Sequence, residues 1–203
     1  MKNDYTEILV IIDRSGSMQT LANDTIGGYN AFIADQKKVP GDAKLTTILF
    51  STAHEIFEDR VDLQKANTLS SLIYVPSGGT ALLDAMSFAI NSIKDKQASL
   101  QDFEKTDKVI VLTITDGEEN SSHKTSKNDI KKLIEEQTAL GWKFDFLSAD
   151  MNAINEATRS YGISAINTMS FAPDSIGVST AYMSMHNSAK NYRIKDIKDT
   201  DTK

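Results

Sequence analysis

Three separated fragments of the chain carry side chains that suit one metal site: Asp13-Arg14-Ser15-Gly16-Ser17, the Gly78-Gly79-Thr80 turn, and Thr115-Asp116-Gly117. Asp13 and Asp116 supply two carboxylates, and Ser15, Ser17 and Thr80 supply three hydroxyls. All are oxygen donors, the set preferred by a hard divalent cation such as Mg²⁺, with Mn²⁺ or Ca²⁺ as alternatives. Hydroxyls leave the charge of the ion uncancelled. A cation held by few carboxylates therefore seeks a further anionic oxygen at any open coordination position. Asp13, Ser15 and Ser17 alternate, so in an extended segment their side chains share one direction, and Gly16 allows a tight turn between them. Taken singly, each fragment also reads as an ordinary turn ahead of a helix. Their conjunction makes the case for a site.

The elements around these fragments must bring them together. Glu7 to Asp13 contains the continuous apolar run Ile8-Leu9-Val10-Ile11-Ile12, the pattern of a central parallel strand covered on both faces; Lys108 to Thr115 repeats it. Further strands are expected over Leu45 to Ser51, Ile56 to Leu63, Trp142 to Ala149 and Ala165 to Phe171. The second of these is polar enough for an edge, with Ala53-His54-Glu55 as its hairpin turn. Helices are expected over Met18 to Lys38, from Leu83 through Ile93, from the capping-box-like Ser126-Lys127-Asn128-Asp129 to Gly141, over Asn152 to Tyr161, and over Ser175 to Lys190. Strands alternating with helices give an α/β fold with a mostly parallel sheet and helices on both faces. In such a sheet ligands gather beyond the carboxyl ends of the strands, where Asp13 and Asp116 both fall.

Composition limits the alternatives. The 203 residues carry a formal net charge of −6 and a pI near 5.1, which argues against bulk attraction to nucleic acid or anionic membrane. With no cysteine, disulfides, thiolate metal sites and cysteine nucleophiles are excluded. No apolar run is long enough to span a bilayer, and the run after Met1 to Tyr5 is too short for a secretory signal. The expected location is the cytoplasm, and an acidic, cysteine-free domain of this kind points to a bacterial or phage source. One domain over residues 1–192 is expected, followed by a flexible charged tail over 193–203 whose mixed Lys and Asp residues lack an apolar period.

In order and spacing, Asp13-x-Ser15-x-Ser17 with Thr80 and Asp116 resembles the metal-ion-dependent adhesion site (MIDAS) of von Willebrand factor type A domains, and the resemblance covers roughly Thr6 to Lys190. It implies a doubly wound fold with one antiparallel edge strand. It implies that the Ser15, Ser17 and Thr80 hydroxyls approach the metal, with Asp13 and Asp116 bound directly or through water. It implies a non-enzymatic protein-binding module in which a partner's acidic side chain completes the coordination. Two other functions stay open on the residues themselves. One is Mg²⁺-dependent phosphoryl transfer with Asp13 as nucleophile, although Ser15 stands where a second, acid-supplying Asp is expected. The other is a structural or assembly protein whose metal only rigidifies loops. Nucleotide-binding glycine loops and a Gly-x-Ser-x-Gly elbow are missing from the sequence. Nothing in the sequence marks an oligomeric state.

Other residues have competing readings. Asp84, a turn beyond Thr80, suits either a hydrogen bond to a site hydroxyl or metal-bound water, or a solvent-facing position. Glu118, Glu119 and Asn120 suit a solvated polar loop, or a second cation or partner choice at the rim; Arg14 suits an ordinary salt bridge or an attractor of acidic partners, and Met18 a packing position. His54, His123 and His186 show no metal-ligand spacing. Trp142, Met183 and Met185 read as core.

Overall fold

The computed structural model describes residues 5–106 and 108–194. Among these, the strands are β1 (Tyr5–Asp13), β2 (Asp42–Phe50), β3 (His54–Asp62), β4 (Lys108–Thr115), β5 (Lys143–Ser148) and β6 (Thr168–Ser170). The helices are α1 (Ala22–Gln36), α2 (Leu82–Ser99), α3 (Lys127–Ala139), α4 (Met151–Arg159) and α5 (Ser175–Ile194). The strands form one sheet in the order β3-β2-β1-β4-β5-β6. Every neighbouring pair is parallel except β2 with the edge strand β3. This is the doubly wound α/β fold expected, with its single antiparallel edge.

The apolar run of β1 works as its pattern requires. Ile8, Val10 and Ile12 face one core with Tyr29, Phe32 and Ile33 of α1 and Tyr182 and Met185 of α5. Leu9 and Ile11 face the other with residues of α2, α3 and α4, including Met86, Ile90, Ile134 and Ala157. Successive side chains of a strand point to opposite faces, so only a strand apolar at every position can serve both layers. The connections leaving β1 and β4 go to opposite faces of the sheet. Those two strands are neighbours, with Ile12 beside Ile114, so a crevice opens at their carboxyl ends.

Several boundaries differ from the sequence expectation. The chain after Ser15 first forms a 3-10 turn, Gly16–Leu21, before α1. β3 begins at His54, so the hairpin turn is Ser51-Thr52-Ala53 rather than Ala53-His54-Glu55. The final strand shrinks to three residues because Ala165–Asn167 is a 3-10 turn. The Ser126 capping box is present, with Asp129 answering it, and α3 ends ahead of Gly141.

The largest difference is at α5, which runs to Ile194 and takes Arg193 out of the expected tail. Arg193 is 3% exposed. Its guanidinium donates to the carbonyls of Gln36 (2.7 Å), Val39 (3.2 Å) and Gly41 (2.7 Å) at the end of α1. Carbonyls at and just beyond a helix C-terminus attract a cation, which fastens the last turn of α5 to the body. The remainder of the expected tail, 195–203, lies outside the described residues. Among the described residues no helix is long and apolar enough to cross a membrane.

Candidate metal centre

Asp13 closes β1 and is fully buried, at 0% exposure. One carboxylate oxygen accepts from the Ser15 backbone N–H (2.6 Å) and the other from Thr115 Oγ1 (2.5 Å) at the end of β4. Ser15 Oγ lies 3.1 Å from Ser17 Oγ, and Ser17 Oγ donates to Asp116 Oδ1 at 2.8 Å. Thr115, Asp13, Ser15, Ser17 and Asp116, from the ends of β1 and β4 and the segments that follow them, thus form a continuous chain across the β1–β4 crevice. Ser15 and Ser17 face one another as expected, although the backbone between them is a 3-10 turn rather than an extended strand.

The third fragment is laid against the first by backbone bonds. Gly16 N donates to Gly78 O (3.0 Å), and Ser77 N to Arg14 O (2.9 Å). Thr80 is 3% exposed and held from both sides. Its N–H donates to Asn120 Oδ1 (2.8 Å), while its carbonyl accepts from Asn120 N (3.0 Å) and Ser121 N (3.2 Å). This ties the Thr80 loop to the Asp116 loop. The glycine requirement sits at 78 and 79 rather than at Gly16, whose φ is not positive. Gly78 has φ +76°, and a Cβ there would lie 2.6 Å from Thr52 Oγ1; one on Gly79 would lie 2.2 Å from Ser121 Oγ.

The two carboxyls of the set are buried close together, and both are shifted upward. Burial pushes the Asp13 carboxyl up to about 6, with a smaller push from Asp116, against the hydrogen bonds of Thr115 and Ser15. Burial also raises the Asp116 carboxyl, aided by the negative charge of Asp150. Arg14 offers no compensation. Its guanidinium pairs with Glu55 at 2.8 and 3.1 Å, so it is the ordinary salt bridge of the two readings. Among the described residues no three His, Asp or Glu side chains cluster as a metal cage. The donors present are two carboxylates and hydroxyls, a set that fits a hard divalent cation and leaves it incompletely neutralised.

The neighbouring polar residues support the loops. Asp84 is half-buried and turned to the following loop rather than to a site hydroxyl: its carboxylate accepts from the backbone N–H groups of His123 (2.9 Å), Lys124 (3.1 Å) and Thr125 (2.7 Å), and these bonds lower its pKa although burial opposes them. Glu119 caps two segments, accepting from Leu83 N (2.9 Å) and from Ser121 N (2.8 Å) and Ser122 N (2.6 Å). Glu118 accepts from Asn152 Nδ2 at 2.8 Å.

The histidines have other occupations. His54 stacks on Phe88 at 4.2 Å, His186 pairs with Gln36 at 3.0 Å, and His123 uses its backbone N–H on Asp84. Met18, Trp142 and Met185 are buried, whereas Met183 is 63% exposed and not core. Two contacts lay beyond sequence reasoning. Thr115, part of the Thr115-Asp116-Gly117 fragment but given no role of its own there, donates to Asp13 across the strands, and Tyr74 Oη donates to the Asp13 carbonyl at 2.5 Å. Only tertiary contact reveals these partners.

Neither a family sequence profile nor a curated protein sequence matches the chain. Solved structures do. Proximal thread matrix protein 1 from the mussel byssus, in a form with a zinc-occupied MIDAS motif, superimposes with a TM-score of 0.63 at 14% identity, over 93% of this chain and 49% of that one. A von Willebrand factor type A protein from Catenulispora acidiphila gives 0.61 at 14% identity, over 92% and 43%. An aerotolerance-related membrane protein from Bacteroides fragilis gives 0.54 at 17% identity, over 92% and 98%. The chain spans about half of the mussel protein and less of the Catenulispora protein. At these identities it is the fold that is shared, and with the strand order, the antiparallel edge and the crevice between β1 and β4 it identifies this chain as having the von Willebrand factor type A fold.

Proposed function

We propose that Asp13, Ser15, Ser17, Thr80 and Asp116 hold a divalent cation and that the domain is a metal-dependent protein-binding module. Mg²⁺ is favoured by ligand hardness, with Mn²⁺ or Ca²⁺ as alternatives. Bound there, the ion supplies a positive charge left incompletely neutralised and open to an acidic side chain of a partner. One observation carries the reading: buried Asp13 and half-buried Asp116 are linked through Ser15 and Ser17 at the carboxyl rim, and among the described residues no cationic side chain is hydrogen-bonded to either. The zinc-occupied MIDAS of the mussel protein supports a divalent ion on this fold.

The chain's own residues have clear tasks in this proposal. Thr115 and the Ser15 N–H orient the Asp13 carboxylate, Tyr74 fixes its backbone, and Asn120 fixes Thr80. The same contacts argue against phosphoryl transfer, since both oxygens of Asp13 are engaged and none of the residue is exposed to an incoming phosphorus. We read residues through Ile194 as one domain and place it in the cytoplasm of a bacterial or phage-encoded system, a setting that cell fractionation tests. The site is tested by calorimetric titration of the full chain with Mg²⁺ and Mn²⁺. One ion binds the wild type, Asp116→Ala weakens binding with an unchanged circular dichroism spectrum, and Asp13→Ala abolishes it. Equal binding to Asp13→Ala would overturn the proposal.

A further inference from the structure

One buried amide joins the end of α1 to the end of α5. Gln36 is fully buried, and its side chain meets α5 at two residues. Its Oε1 accepts from Arg193 Nη1 at 3.0 Å, and its Nε2 donates to the carbonyl of His186 at 3.0 Å. A guanidinium only donates and a carbonyl only accepts, so these two bonds leave the amide a single orientation. The same Nε2 lies 3.0 Å from His186 Nδ1. An amide nitrogen is no acceptor, so Nδ1 must offer its lone pair. That puts the ring proton on Nε2 and makes the imidazole neutral.

A proton added at Nδ1 sets N–H against N–H. Turning the amide over gives no escape, because its nitrogen would then face the Arg193 guanidinium and its oxygen the His186 carbonyl. The surroundings do not absorb the charge either. Arg193, two helical turns further along α5, is already a buried cation. Among the described residues its hydrogen bonds end only on the oxygens of Gln36, Val39 and Gly41, with Asp42 of β2 acting on it through space. Around the ring stand Asp35 and Lys38 of α1, which pair with each other at 2.7 Å, and Lys190 and Arg193 of α5. Burial holds the imidazole below its ordinary 6.5; Asp35 opposes that push, while Lys190, Lys38 and Arg193 add to it. Between the lowered value and 6.5 the unfolded chain holds more protons than the folded one, so stability falls as pH drops through that window. The ring is half-buried and lines a cavity of about 330 Å³ between α1 and α5, which gives protons a way in.

We infer that Gln36, His186 and Arg193 form a proton-operated latch: neutral His186 keeps it closed, and protonated His186 frees residues 187–194 of α5 from the end of α1. The latch shares no residue with the metal set and stands whether or not an ion binds there. Its closed form needs one lone pair at one ring nitrogen, which is why a single proton suffices to open it.

Hydrogen-exchange mass spectrometry of the full chain at about pH 7.5 and about pH 5, corrected for intrinsic exchange, reads the latch. At the lower pH the amides of residues 187–194 should exchange about tenfold faster relative to those of α3, the cost of one buried donor left unpaired. His186→Asn keeps an acceptor at the δ position without a titrating ring, and should abolish the pH difference. His186→Lys carries a lasting cation and no acceptor, and should exchange fast at both pH values. Nitrogen-15 NMR of the wild-type imidazole needs no variant to fold, and at about pH 7.5 should find the proton on Nε2. A proton on Nδ1, equal relative protection of residues 187–194 at both pH values, or a pH difference undiminished in His186→Asn would overturn the inference.

Discussion

β1 buries a carboxylate near each end, and the two are treated differently. Glu7, toward the amino end, is 0% exposed, and Arg60 Nε donates to it at 2.5 Å with Gln97 Nε2 at 3.2 Å. Burial pushes its carboxyl up and Arg60 works against that push; in turn the guanidinium, despite burial, is held above its usual range by Glu7. Asp13, at the carboxyl end, is equally buried, and among the described residues it is met by Ser15 and the Thr115 hydroxyl but by no cationic side chain. The fold has a way of neutralising a buried acid and uses it at one end only. Arg60 even adopts φ 53°, a left-handed conformation, at the irregular β2–β3 pairing that aims it at Glu7. A carboxylate left without such a partner, beside a second one, is what a site awaiting an external cation requires.

The contrast is broken most severely by removing the internal cation. Arg60→Met leaves Glu7 buried and unpaired and should cost about 3–5 kcal/mol of unfolding free energy, measured by urea titration. Adding Glu7→Gln should restore part of the loss, and Mg²⁺ binding should persist.

At the other end the sign reverses. The metal-free Asp13 carboxyl has a folded pKa of about 6, above its ordinary 3.8. Between those values the folded chain holds more protons than the unfolded one, so stability falls as pH rises through this window and the penalty is fully present above it. Asp13→Asn removes the penalty and keeps an acceptor for Ser15 N–H. The variant should gain up to about 3 kcal/mol without metal near pH 7.5, while failing to bind the ion. A large loss in metal-free urea titration would instead give Asp13 a structural role.

Metal binding should add to the stability of the folded chain. At a hundredfold excess over Kd, Mg²⁺ should add about 2.7 kcal/mol to the wild type, seen as a rise in Tm, and nothing to Asp13→Asn. Smaller still is the pH effect. Because protons compete for Asp13, apparent Mg²⁺ affinity should fall by up to about tenfold per pH unit below 6. A flat profile from pH 5 to 7 would place the ion elsewhere.

How much of this the sequence disclosed depended on whether a feature is local. β1 and β4 were legible because strands covered on both faces must be apolar at every position. The Ser126 cap was legible because it is a short-range pattern. The start of β3 was not, since an edge strand of His54, Glu55 and Arg60 lacks alternation, and neither was the three-residue β6. Asp13, Ser15, Ser17 and Asp116 could be named from spacing and fall into one hydrogen-bonded chain, with Thr80 tied in alongside. The bonds of Tyr74 and Thr115 to Asp13 and the loop-holding role of Asp84 depend on distant partners and leave no periodic trace. Arg193 was misread for the same reason: its composition is that of a tail, but its partners are the carbonyls at the end of α1.

The central claim is that the unpaired end of β1 binds a divalent ion through these five side chains. An anomalous difference map from crystals of the full chain soaked in Mn²⁺ tests it directly. The account predicts one strong peak bounded by Asp13, Ser15, Ser17, Thr80 and Asp116, lost in Asp13→Ala. A map with manganese only at other carboxylates, and nothing between β1 and β4, would contradict it.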